Sequence, residues 1–202
     1  MGSSDMTTQS EPLMYLFGGN MGWHAKSWVV SDDRVRGGKS RSHLDLTSGS
    51  GSGSGEDRKE ETVRFHGVLD ITALGGAGFA SQRSPPSCRW DLSSFHGLSV
   101  GIREGDGMKY TLILKDTAPT DRGDGRLESS VSWEYDFDGG AEEWRVSWGE
   151  LKPMYRGKPK PDAEPLKLAD IRSISIMVRS FFGQQEGPFD LELRHIAAFR
   201  SS

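Results

Sequence analysis

The chain has 202 residues, 34% of them apolar, and a formal net charge of −4. That length suits one domain with a real core, and six Trp with nine Phe are too many large apolar groups for a chain disordered throughout. The acidic balance argues against a non-specific nucleic-acid binder, no apolar run approaches the ~20 residues of a membrane helix, and the single cysteine, Cys88, leaves no internal disulfide and no thiolate metal cage.

Residues 1–12 are expected to form a disordered or tag-derived tail: Met1-Gly-Ser-Ser resembles a vector scar, and a second Met stands at position 6. No hydrophobic signal core follows, the first Lys is Lys26 and the first Arg is Arg34, so no presequence is visible and the setting reads as intracellular, with the cytoplasm open. Residues 13–200 read as a single domain. Weak apolar alternation marks 13–17, 27–31 and 41–46. Ser48 to Gly55 then alternates Ser with Gly and runs into Glu56-Asp-Arg-Lys-Glu-Glu61, so 48–61 is expected to be a flexible loop inside a hairpin.

Period-two alternation dominates the remainder, over 63–71, 110–115, 131–137, 144–148, 174–179 and 189–194, with weaker runs at 77–83 and 98–103. Successive strand side chains point to opposite faces, so each run describes a half-buried strand. Glycine pairs and Gly-Asp-Gly triplets punctuate them as turns. Lys152 to Pro165 carries four prolines and is expected to be an exposed connection, because proline cannot donate to a sheet ladder. Single helical turns are expected at Glu150–Met154 and Leu168–Ile171. About eleven short strands with such turns predict an all-β fold, a sandwich or barrel of antiparallel strands.

Chemistry-bearing motifs are sparse. The five histidines never fall at i, i+2 or i, i+4, so no zinc pattern can be written. Cys88 precedes Arg89, which would favour a thiolate, yet no histidine stands near it, and an ordinary thiol is the plainer reading. Gly75-Gly-Ala-Gly78 lacks the Lys-Ser/Thr of a phosphate loop and reads as a tight turn. Asp32-Asp33 and Glu104-Gly-Asp106 are oxygen-rich, but neither has the spacing of a calcium loop and Asp serves turns equally well. Arg122-Gly-Asp124 matches an integrin tripeptide, for which chance suffices. Trp23, Trp28, Trp90 and Tyr155 are the aromatics least accounted for by strand phase, and are candidates for stacking a ligand. No catalytic residue, metal site or cofactor is assigned.

An ordered series of segments resembles one family. It runs through Trp28-Val-Val-Ser-Asp-Asp-Arg-Val-Arg-Gly-Gly-Lys-Ser40, Phe65-His-Gly67, Gly76-Ala-Gly-Phe-Ala-Ser81, Trp90-Asp-Leu-Ser-Ser-Phe-His-Gly97 and Gly105-Asp-Gly-Met-Lys-Tyr110. It continues through Pro165-Leu166, Ile174-Ser-Ile176 and Gly187-Pro-Phe-Asp-Leu-Glu-Leu193. Together these cover most of 13–199 and are similar to the complex I intermediate-associated proteins, the thirty-kilodalton assembly factors of NADH:ubiquinone oxidoreductase. Arg179-Ser-Phe-Phe-Gly-Gln-Gln-Glu-Gly187 looks like the short fungal members. Where the family pattern sets apolar residues around its glycine pair, this chain has Arg36 and Lys39.

The resemblance implies a jelly-roll β-sandwich of two antiparallel sheets, galactose-binding-domain-like. It also implies a non-enzymatic, chaperone-like role in mitochondria, with subunits or assembly intermediates of complex I as the protein partner. Asp33, Arg34, Arg36, Lys39 and Arg41 are the partner-binding candidates, the last four a cationic stripe able to pair carboxylates. Asp33 has a second reading, as the cap of the turn at Gly37-Gly38. The alternative function is a carbohydrate- or small-ligand-binding sandwich in the cytosol.

Overall fold

The computed structural model describes residues 13–48, 61–118, 120, 121, 123 and 128–201. The expected tail at 1–12, the Ser/Gly core of the 48–61 loop, and Arg122 and Asp124 of the integrin-like tripeptide lie outside the described residues.

Thirteen strands are found among these residues, all antiparallel. One sheet holds β1 (Met14–Gly18), β3 (Arg41–Ser48), β4 (Glu61–Leu69), β6 (Gly97–Gly105), β9 (Glu143–Ser147) and β13 (Gly187–Phe199). Its order is β3-β4-β13-β6-β9, with β1 pairing the distal half of β13. The other sheet runs β11 (Lys158–Pro159), β10 (Lys152–Tyr155), β8 (Ser132–Asp138), β7 (Lys109–Lys115), β12 (Ser173–Arg179), β5 (Phe79–Arg83), β2 (Val29–Val30). The fold is a jelly-roll β-sandwich with almost no helix.

The apolar phase of each strand builds the layer between the sheets. Tyr110, Leu112 and Leu114 of β7 and Ile174, Ile176 and Val178 of β12 are all buried from one sheet. Val63, Phe65, Leu98, Val100, Leu191 and Leu193 meet them from the other. Along β13 the buried phase changes from odd residues (Phe189, Leu191, Leu193) to Ile196 and Ala198. Its register with β6 shifts on both sides of Leu193, and a bulge moves the following side chains to the other face.

Two expectations are corrected. Lys152–Pro165 is not all connection: β10 and β11 form a hairpin there, extending the sheet beyond β8. Pro153 is tolerated because its carbonyl still accepts from Lys160 N (2.9 Å), and Pro159 sits on the edge strand, where its missing donor costs little. The first expected helical turn is shifted to a 3₁₀ turn at Trp148–Glu150, where Ser147 and Glu150 cap each other, and Lys152–Tyr155 is strand. The second is found at Leu168–Asp170.

Candidate functional site

The outer, polar phase of the seven-stranded sheet forms the floor of a groove of about 590 Å³, inside the ~300–1,000 Å³ span of ligand clefts. Its depth has a sequence cause. The central strand β12 turns Ser173, Ser175 and Met177 outward, and short side chains in the middle leave room beneath longer ones at the sides. Met154 and Arg156 follow from the β10–β11 hairpin on one side, and Phe79, Arg36 and the loop at Phe181-Phe182 form the other.

Two groups of charges stand on the groove floor, with Arg36, Arg156 and Glu128 also in its lining. Arg179 donates to Glu134 Oε2 (2.7 Å) and Asp136 Oδ1 (2.6 Å). Glu134 also accepts from Ser132 Oγ (2.8 Å), and Asp136 from Thr111 Oγ1 (2.7 Å), so both carboxylates are engaged. The second group is Arg83 and Lys115, both partly buried. Lys115 Nζ donates to Ser130 Oγ (3.1 Å), while the Arg83 guanidinium has no hydrogen bond or ion pair among the described residues. Burial holds the Lys115 ammonium below the usual lysine range, the charge of Arg83 adds to this, and Glu134 opposes it. Burial likewise lowers Arg83.

The rim loop is strained. Phe181 (φ 46°) and Phe182 (φ 60°) sit in the left-handed region, unusual for bulky side chains. The Arg179 guanidinium covers the Phe181 ring at 4.8 Å, whereas Phe182 is 94% exposed.

The predicted site residues separate into different places. Of the five partner-binding candidates, Arg36 alone lines the groove, its guanidinium 5.6 Å from the Phe79 ring centre. Arg34, Lys39 and Arg41 are exposed on the surface nearby. Asp33 is corrected: it is fully buried and faces no solvent. Its carboxylate accepts from Ser40 N (3.1 Å), Ser40 Oγ (2.7 Å) and Phe79 N (3.0 Å). Asp32 does the same one residue earlier, accepting from Ser42 N (2.9 Å), Ser42 Oγ (2.6 Å) and Ser81 N (2.9 Å). The pair, read from sequence as oxygen-rich, ties β3 of one sheet to β5 of the other.

The stacking candidates are also corrected. Trp23 and Trp28 are buried, packed with Phe17 at ring distances of 5.8 and 4.8 Å, and Trp90 closes that cluster edge-on at 5.5 Å. Tyr155 carries Arg156 over its ring at 5.3 Å. None of the four lines the groove. Cys88 is partly buried, and burial pushes its thiol up, away from a thiolate nucleophile.

Sequence reading missed Arg83, Lys115, Glu134, Arg179 and Phe182. The available signal was the polar phase of central strands, where a serine every second residue on β12 marks a face with little side-chain bulk. On the opposite sheet Ser99 Oγ lies 2.7 Å from Glu143 and 3.1 Å from His195. The hydroxyl there stands between the acid and the histidine, which is not the order that activates a serine.

Among the described residues no helix is long and apolar enough to cross a membrane. Family 11 carbohydrate-binding modules of Clostridium thermocellum share the fold. The module of the cellulosomal cellulase Lic26A-Cel5E is similar at TM-score 0.58 and 12% identity, over 96% of this chain and 97% of its own. The module in complex with a β-1,3-1,4-mixed-linked tetrasaccharide gives TM-score 0.58 and 13% identity, over 96% and 98%. The Schizosaccharomyces pombe protein C9E9.15 is 41% identical over 191 residues, 92% of this chain and 84% of the relative. Residues 15–193 match the family described as Complex I intermediate-associated protein 30. With most of the chain inside that match and the sandwich it implies present, the protein belongs to the complex I intermediate-associated protein 30 family.

Proposed function

We propose that this protein is a non-enzymatic assembly factor that holds an intermediate of respiratory complex I inside mitochondria, and that the groove of the seven-stranded sheet is its client surface. Family membership over 15–193 is the observation that carries the role. The groove supports the binding mode. Its floor is built on hydrogen-bonded central strands, so it is in place before the client arrives and little ordering entropy is lost on binding. Phe182 supplies the anchor: a large apolar side chain exposed on a strained rim is costly in an isolated protein and useful in a bound one. Holding a client this way needs no bond making or breaking.

A sugar-binding role has less support. Sugar platforms need open aromatic faces, and the four Trp and Tyr candidates lie elsewhere, while Arg179 and Arg36 stand over Phe181 and Phe79, which leaves Phe182 on the rim as the open ring of the groove lining.

The test is deletion in the native cells, followed by native gels of respiratory complexes and protease protection of mitochondria. The expected result is a protected protein and loss of mature complex I, restored by the wild-type chain and not by Phe182→Ser. Normal complex I in the deletion strain overturns the role. A purified chain that is stabilised by mixed-linked glucans would replace it with the sugar-binding reading.

A further inference from the structure

Arg83 and Lys115 stand on β5 and β7, on either side of β12. Ser175 is the cross-strand neighbour of Arg83, and Ser173 that of Lys115. The two flanking strands are about 10 Å apart, so two long side chains converge over a pair of serines. Like charges brought together and partly desolvated are unfavourable unless an anion joins them. Among the described residues no carboxylate forms an ion pair with either cation: Glu134 and Asp136, acids on the same floor, are bonded by Arg179, Ser132 and Thr111. Among the described residues Arg83 Nε and Ser173 Oγ are buried without a hydrogen-bond partner, the sort of unsatisfied polar group that calls for an explanation. The groove's lining includes five cationic side chains and three acidic ones, on a chain whose net charge is −4.

We infer that Arg83, Lys115, Ser173 and Ser175 form a carboxylate-binding subsite on the groove floor, and that its occupant is an acidic side chain of the protein segment laid in the groove. This rests on the groove being the client surface. The charge count favours a carboxylate over a phosphate. Arg83, Lys115 and Arg179 against Glu134 and Asp136 leave about one net positive charge on the floor, and a second negative charge would face Glu134 and Asp136. Guanidinium geometry suits a planar carboxylate bidentately. The surroundings favour a protein segment. Ile113, Met154 and Met177 border the cations and Phe182 stands at the rim, an apolar setting that a bare metabolite anion would leave uncovered.

The experiment uses the full chain and blocked tetrapeptides carrying one Asp between Leu and Phe, with the Asn counterpart, sodium acetate and inorganic phosphate as further probes. Binding is followed by the NMR signals of the Arg83 Nε–H and the Lys115 side chain. The Asp peptide is expected to saturate both signals, and the Asn peptide to bind at least tenfold more weakly. Arg83→Gln is expected to weaken the Asp peptide by a similar factor with no loss of thermal stability, and Arg83→Lys to restore part of it. Equal binding of the Asp and Asn peptides, or no saturable shift at Arg83, overturns the subsite. Phosphate or acetate binding more tightly than the Asp peptide overturns the assignment to a protein segment. These readouts need no respiratory chain. Failure of the assembly role would appear in the deletion strain, and failure of the subsite in the titration.

Discussion

Removing the Asp33 carboxylate tests how the corner of the sandwich is held. Asp33 Oδ1 accepts from Ser40 N, and Oδ2 from both Ser40 Oγ and Phe79 N, the last of these 46 residues away. In Asp33→Ala the Ser40 hydroxyl keeps an alternative acceptor in Asp70 O (3.2 Å), but the two backbone donors lose their only acceptor. A buried donor left unpaired costs about 1–3 kcal/mol, so the substitution should lower stability by about 2–6 kcal/mol. At about 2–4 °C per kcal/mol for a chain of this size, the melting temperature should fall by roughly 4–24 °C. Asp33→Asn keeps one carbonyl oxygen for Ser40 N but sets its amide donor against the Phe79 N–H, so that donor is still unpaired and the cost should be of the same order as for Ala. Urea unfolding followed by tryptophan fluorescence measures both, because the Phe17, Trp23, Trp28 cluster reports loss of packing. A loss below about 1 kcal/mol for Asp33→Ala would refute the tie.

The neighbouring glycines should separate by mechanism. A Cβ on Gly38 would lie 2.2 Å from Asp33 Cγ, so Gly38→Ala should disrupt the same corner, whereas Gly37 (φ 85°) has open space and Gly37→Ala should cost only the left-handed backbone, about 1–2 kcal/mol. Equal denaturation midpoints for the two variants would contradict this. The lowered Lys115 means the unfolded chain binds its proton more tightly, so stability should rise with pH as the solution passes from the folded value up to the ordinary lysine value. Arg83→Gln removes one cause of that lowering and should flatten the rise; an unchanged slope in denaturation below the ordinary lysine value would show that the two charges do not meet. Cys88, raised by burial, should react with iodoacetamide more slowly than glutathione does at the same pH, and an equal or faster rate would revive the nucleophile reading.

Much of the fold was legible because strand alternation is a local property. Ile174, Ile176 and Val178 declare their buried face against Ser173, Ser175 and Arg179 whatever sheet they join. The proline-rich stretch misled for a local reason too: proline weakens a strand's own hydrogen bonding, and only the presence of β8 alongside makes β10 worthwhile. Trp23 and Trp28 sit among 3₁₀ turns and a two-residue strand, with no periodic neighbours to signal a face. Their burial follows from where β1 docks on β13 and where Trp90 meets Ile171. The Asp33–Phe79 tie and the meeting of Arg83 with Lys115 were likewise invisible, because pairing is a relation between residues far apart in the chain. Sequence alone determined the faces of the strands and the family. Tertiary structure decided which face became a groove, since its depth depends on sheet order, on the β10–β11 hairpin and on the loop at Phe182. No local pattern encodes the distance between elements that meet only on folding.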